Sequence, residues 1–148
     1  MSKNKLNIEK LKEHDIAQLI ECEQAYLADI GEEPMDKAAQ ERLRKAIEDG
    51  KIQFFTAKDN GKIIGMCSVV TAFSTFACTY SAVFEDFYVA PAYRKQGAAR
   101  LLVNAAADYC REIGASGLTV CCAPCDEAMY NSLGFEIKLG TEFVMPLD

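Results

Sequence analysis

Phe84-Glu85-Asp86-Phe87-Tyr88-Val89-Ala90-Pro91-Ala92-Tyr93-Arg94-Lys95-Gln96-Gly97-Ala98-Ala99 is the stretch whose reading decides the fold. Aromatic and β-branched residues open it as a strand, Pro91 stops the strand, and a basic turn with one glycine leads into a helix. Such a turn presents backbone N–H groups that have no intrahelical acceptor, at the positive end of the helix and beside Arg94 and Lys95. Phosphates bind at places of this kind. Two familiar phosphate loops do not fit. A nucleotide-hydrolysing loop has four residues between its glycines and a Lys-Ser/Thr ending, and a dinucleotide turn has three spaced glycines, whereas only Gly97 stands here. Taken alone, Arg94-x-x-Gly97-x-Ala99 also describes a solvated basic turn.

Outward from that stretch, the chain alternates between the two periodicities of regular structure. Leu6-Asn7-Ile8 alternates as a first strand, and Asp15 is placed to cap a helix with Ile16, Leu19, Ile20, Leu27 and Ile30 on one face, ending near Gly31. Asp36 caps a second helix that turns Ala39, Leu43, Ala46 and Ile47 inward, with Gly50 after it. Ile52–Ala57 and Ile63–Thr71 read as strands joined by Lys58-Asp59-Asn60-Gly61-Lys62, where Asn-Gly between β-rich runs is a hairpin signal. Ala72–Tyr80 reads as a loop or a fraying strand end, and Val83–Val89 as the next strand. Ala98–Ile113 is a helix with Leu102, Ala105, Ala106, Tyr109 and Ile113 on one side, closed by Gly114. Leu118–Cys122 is expected as a buried strand, Asp126–Leu133 as a short helix, and Phe135–Pro146 as one or two final strands. The order β-α-α-β-β-β-α-β-α-β predicts an α/β fold, a mixed sheet with helices on both faces.

A chain of 148 residues suits one domain over 1–148, with a core that needs no disulfide or metal support. No apolar run reaches the ~18–20 residues of a membrane span, and Met1-Ser2-Lys3-Asn4-Lys5 leads into no signal core, so a cytoplasmic protein away from membranes is expected. A net charge of −6 argues against nucleic acid as a partner, because non-specific binding draws on surplus Lys and Arg. Seven cysteines without a secretion signal speak against a disulfide framework. Cys122 and Cys125 form a single Cys-x-x-Cys pair with Cys121 beside it; without a second pair, and with His14 the only histidine, small buried thiols at a strand end are the expectation and no metal is implied. His14 reads as a surface residue.

Tyr130-x-x-x-Gly134-Phe135 is the second informative constellation. Together with Arg94-x-x-Gly97-x-Ala99 and the element order, it resembles the GCN5-related N-acetyltransferase superfamily over roughly Ile8 to Val144, and the Glu85-Asp86-Phe87-Tyr88-Val89 strand looks most like its small-amine and polyamine members. The resemblance implies transfer of an acetyl group from acetyl-coenzyme A to a primary amine through a tetrahedral intermediate. It implies that Arg94, Lys95, Gln96, Gly97, Ala98 and Ala99 hold the pyrophosphate through backbone amides, with Gly97 leaving room for its approach. It implies that the backbone of Phe87, Tyr88 and Val89 pairs with the pantetheine arm where this strand splays from Leu118–Cys122, beside a β-bulge whose N–H faces the thioester. Glu85, acting through water, matches the family's base, and Tyr130 its acid.

In a flat strand Glu85 and Asp86 point to opposite faces, so only one faces the acetyl group. The family often has Asn and Ala, seven and four residues before the tyrosine; Ala123 and Asp126 stand there, so that coenzyme contact is lost or is taken over by Asp126 or backbone. The acceptor is expected between the first helices and the loop after the third strand, near Tyr26, Glu32, Glu33, Phe73, Phe76 and Tyr80, as a small-molecule or protein amine. A homodimer is compatible with the family. A non-catalytic acyl-coenzyme A-binding regulatory module and a plain interaction domain are the other readings.

Overall fold

The computed structural model describes residues 5–147. Five strands form one sheet in chain order: β1 (Asn7–Lys10), β2 (Gln53–Asp59), β3 (Lys62–Ser74), β4 (Thr79–Val89) and β5 (Leu118–Thr119). The first four pair antiparallel, and β5 lies parallel to β4. Helices α1 (Ile16–Asp29) and α2 (Lys37–Glu48) precede β2, α3 (Ala98–Glu112) carries the chain from β4 to β5, and α4 (Glu127–Ser132) follows β5. The mixed α/β class stands as the sequence reads.

Pleat alternation sets the two layers. Phe55, Ala57, Cys67, Val69 and Phe84 face α3, which answers with Ala98, Leu102, Val103, Ala106 and Cys110. Phe54, Ile63 and Met66 face the other way, onto Leu19 and Cys22 of α1, with Leu43 and Ile47 of α2 at the margin. Local signals hold where the chemistry is local. The Asp36 carboxylate accepts from the Ala39 N–H at 2.7 Å and caps α2. Asn60 and Gly61 turn the β2–β3 hairpin with φ of 49° and 82°, the left-handed pair that an Asn-Gly turn demands.

Several expectations are corrected. Asp15 does not cap α1: it is buried, and its carboxylate takes the Lys58 ammonium at 2.5 Å, which also reaches Glu9 at 2.8 Å. Lys58 accordingly belongs to β2 and not to the turn. Ala72–Tyr80 is not a loop, because the hairpin ladder continues through Phe73↔Tyr80 and Ser74↔Thr79, so only Thr75–Cys78 turn. The strand expected over Leu118–Cys122 pairs for two residues only, and Cys121 and Cys125 are exposed with Cys122 half-buried, so the cluster is not a set of buried strand-end thiols.

The final strands over Phe135–Pro146 are not formed. Phe135 is the last residue packed on the core, 5.5 Å from the Phe84 ring and 5.7 Å from the Tyr130 ring, and beyond it Lys138 reaches Glu127 at 3.1 Å. There Ile137, Leu139, Phe143, Val144 and Met145 stand exposed, and no described strand edge pairs with them. A strand needs a ladder partner, and β5 is too short to offer one. No helix among the described residues is long and apolar enough to cross a membrane.

Candidate active site

The site begins where the sheet opens. β4 and β5 share only Ala82↔Leu118 and Val83↔Thr119; β4 then runs on to Val89 paired with β3 alone, while the chain after Thr119 veers away. The β4 edge from Phe84 onward is therefore free of a strand partner on that side. A cleft of about 280 Å³ occupies the opening, lined by Tyr26, Val83, Phe84, Glu85, Asp86, Phe87, Val120, Cys121 and Tyr130.

β4 is not flat here. Its register against β3 slips between Met66 and Ser68, so Cys67 faces two residues, Asp86 and Phe87. Asp86 takes the extra place with φ of 50°, a left-handed conformation that Asp adopts more readily than most side chains. The bulge breaks the alternation that would have sent Glu85 and Asp86 to opposite faces, and both line the cleft. Asp86 accepts from the Ser68 hydroxyl at 2.6 Å.

The electrostatics are one-sided. Burial raises the Asp86 pKa, against the lowering effect of the Ser68 hydrogen bond. Glu85 is raised by burial, then by the Asp86 and Glu142 charges. Behind them, Glu23 of α1 is 5% exposed, and one of its carboxylate oxygens has no hydrogen-bond partner. Burial and the Asp86 charge push Glu23 up to about 8. Tyr26 is raised by burial and by Asp86, Glu23 and Glu85. Among the described residues no Lys or Arg lines the cleft.

Tyr130 enters from α4, its ring 6.2 Å from Phe87. Burial, with Tyr26, Asp126 and Cys122 nearby, pushes its phenol up to about 12, so it carries its proton throughout the neutral range. Tyr26, Glu85, Phe87 and Tyr130 are thus brought together. Phe73 and Tyr80 are not: they pair near the tip of the β3–β4 hairpin, five residues and about 17 Å along the strand from Glu85. Phe76 is fully exposed in the tip, and Glu32 and Glu33 are exposed beyond the end of α1.

The turn into α3 has the form the sequence implied, with a different division of labour. Lys95 and Gly97 both have left-handed backbone, φ of 59° and 92°. Leu101 is the first helical donor to reach Gly97 O, at 3.2 Å, so the amides before it open the helix without intrahelical acceptors. A Cβ on Gly97 would meet nothing within 4 Å; the glycine answers the φ, and the space it faces is open for a ligand. Arg94 is committed elsewhere, donating to Val89 O at 2.8 Å and Asp29 at 2.9 Å, with its guanidinium over the Tyr88 ring at 5.7 Å. Gln96 donates to Ala92 O at 2.9 Å. Amides and Lys95 therefore remain for an anion, in line with a diphosphate cradle.

Sequence reasoning missed Glu23 altogether and placed Asp86 on the wrong face. For Glu23 a signal existed: with Ile16, Leu19 and Ile20 it completes an i, i+3, i+4, i+7 stripe, so a carboxylate stood at a position reserved for the core.

Comparison with known proteins adds the following. The model of the acetyltransferase (GNAT) family matches residues 15–135. An uncharacterized N-acetyltransferase, YhfO, of Bacillus subtilis is 27% identical over 115 residues, covering 78% of this chain and 77% of that protein. The crystal structure of the aminoglycoside acetyltransferase meta-AAC0020, from an uncultured soil metagenomic sample and in complex with sisomicin, superposes with a TM-score of 0.83 at 20% identity, covering 97% of both chains. A predicted acetyltransferase from Clostridium acetobutylicum, crystallised with acetyl-CoA, superposes at 0.79 and 17% identity, covering 97% of this chain and 96% of that one.

Proposed function

Because this chain belongs to the acetyltransferase (GNAT) family, we propose that it moves an acetyl group from acetyl-CoA to a primary amine, with Glu85 accepting the amine's proton through water and Tyr130 protonating the departing thiolate. One observation carries the reading. The opening between β4 and β5 collects a carboxylate of raised pKa and a phenol that keeps its proton, on the strand that leads straight into the amide-rich turn at Lys95–Ala99.

The turn would hold the diphosphate by its amides and the helix dipole, with Lys95 adding charge. The β4 edge at Phe87, Tyr88 and Val89 would offer main-chain partners to an amide-bearing arm, and a bulge N–H facing the cleft would stabilise the negative charge that develops on the carbonyl oxygen. The co-substrate supplies the activated acetyl group. The amine nitrogen attacks its carbonyl carbon, and the carbon–sulfur bond breaks as the tetrahedral intermediate collapses. Glu85 takes the ammonium proton by way of water, and its raised pKa brings it closer to the working pH of a base. Tyr130 gives its proton to the thiolate and takes back the one that the acylated nitrogen sheds on collapse, while Glu85 returns its proton to solvent.

Release of free thiol from acetyl-CoA, followed across sisomicin, an n-alkylamine series and a peptide with a free amino terminus, tests the proposal. Turnover with at least one amine is the expected result. Tight acetyl-CoA binding without turnover on any amine would instead support a regulatory module, and no binding at all would leave a scaffold.

A further inference from the structure

Glu23 has no place in the reaction just described. It is a carboxylic acid on the inward face of α1, removed from water, with an oxygen that nothing in the protein satisfies. A buried polar atom of this kind costs stability unless a partner arrives. The groups whose charge acts around it are acids and phenols: Asp86 on Glu23 itself, then Glu23, Glu85 and Asp86 on Tyr26, and Glu142 on Glu85. Cys22 on α1 and Cys67 on β3 keep their protons, raised by burial and by Glu23 and Asp86 respectively; Tyr88 is raised by burial, Cys22 and Asp29 against the Arg94 guanidinium over its ring, and Tyr130 by burial first. Among the described residues, no three His, Cys, Asp or Glu side chains stand close enough together to hold a metal ion.

We propose that Glu23 and Asp86 form a cation subsite behind the cleft, which selects acceptors bearing positive charge and rejects those bearing phosphate or carboxylate. The proposal rests on the acetyl-transfer reading for the meaning of "acceptor", and its geometry is independent of it. Asp86 is turned into the cleft by its left-handed bulge residue and fixed by Ser68. Glu23 sits one turn before Tyr26, which lines the same cleft, so a cation held by Asp86 lies within electrostatic reach of Glu23. In the free protein burial and the neighbouring Asp86 keep the proton on Glu23. A seated ammonium replaces that proton's role, and Glu23 releases it to solvent as the cation binds.

The test starts without acetyl-CoA, so that binding and catalysis are read apart. Carboxyl carbon resonances of Glu23 are titrated by NMR in the free protein and with equal concentrations of n-butylammonium, n-butanol or n-butyrate. The expected result is a Glu23 midpoint well above the ordinary glutamate range, lowered by about one pH unit or more by n-butylammonium alone. Asp86→Asn, whose side chain tolerates the same left-handed backbone, should lower the midpoint in the free protein and abolish the response. A Glu23 midpoint in the ordinary range, or an equal response to butyrate, overturns the subsite.

A second arm compares kcat/KM for sisomicin and for glucosamine 6-phosphate. The cationic preference of the wild type should fall at least about tenfold in Glu23→Gln and Asp86→Asn, as loss of one charged contact implies. Equal ranking in wild type and variants also overturns it. Turnover with an unresponsive Glu23 would remove the subsite and keep the acetyltransferase, while a responsive Glu23 with no turnover on any amine would do the reverse.

Discussion

Between β1, β2 and the start of α1, Asp15 and Glu9 close on the Lys58 ammonium at 2.5 and 2.8 Å, whereas beneath the cleft Glu23 faces burial and the Asp86 charge, and Asp86 accepts from the Ser68 hydroxyl. Both groups of acids are withdrawn from water. In the first, the Lys58 hydrogen bond holds Glu9 down at about 2, and the acids in turn raise Lys58 against its burial. In the second, burial and like charge push Glu23 up to about 8. A compensated cluster ties elements together. An uncompensated one is a cost to the fold that persists beside a cleft.

The comparison can be broken at several points. The largest effect is expected in the acetyl transfer proposed for the cleft beside the uncompensated acids. Tyr130→Phe should lower kcat by about 10²–10⁴-fold with little change in acetyl-CoA affinity, measured by thiol release and by calorimetric titration; full kcat would take the phenol out of the reaction. Next, Lys58→Met should cost about 3 kcal/mol in urea unfolding, because it leaves the buried Asp15 carboxylate without its ammonium and Glu9 with only the more exposed Lys12 at 3.0 Å. If the loss were as small as for an exposed pair, the first cluster would not be compensated in any useful sense.

Glu23→Gln should move stability the opposite way, raising it by about 1–3 kcal/mol at neutral pH, since it removes the need to keep a carboxyl protonated. The pH dependence sharpens this. Glu9 has a depressed folded pKa, so its contribution is complete above its unfolded value near ~4.3 and is lost as pH falls toward 2. Glu23 has a raised folded pKa: the folded state holds a proton that the unfolded chain gives up above ~4.3, so stability declines as pH rises from there to about 8. Unfolding midpoints across that range should show the decline in the wild type and a flatter line in Glu23→Gln. The smallest effect is on shape. Glu85→Gln should remove the acidic limb of the kcat/KM profile, and an unchanged limb would assign the base elsewhere.

Much of the fold was legible because its determinants are local. Asp36 caps the helix that starts at the next residue, and Asn60-Gly61 carries its own turn geometry. Asp15 was misread because the lysine that claims it lies 43 residues away, and a good local cap lost to a buried ion pair. The final strands were misread because alternation names a side for each residue and cannot supply an edge to pair with. At the site, Arg94-x-x-Gly97 and Tyr130-x-x-x-Gly134 were legible through their resemblance to a superfamily's motifs, yet the Arg94 side chain turned out to brace α1 through Asp29. The Asp86 bulge stayed hidden, since it depends on the register of β4 against β3, and that register exists only once the sheet is assembled.

A crystal structure with acetyl-CoA bound tests the central claim most directly. The account requires the diphosphate on the amides of Lys95–Ala99, the pantetheine along the free β4 edge, and the sulfur within hydrogen-bond reach of the Tyr130 hydroxyl. A diphosphate seated elsewhere, or a sulfur that Tyr130 cannot reach, would contradict it.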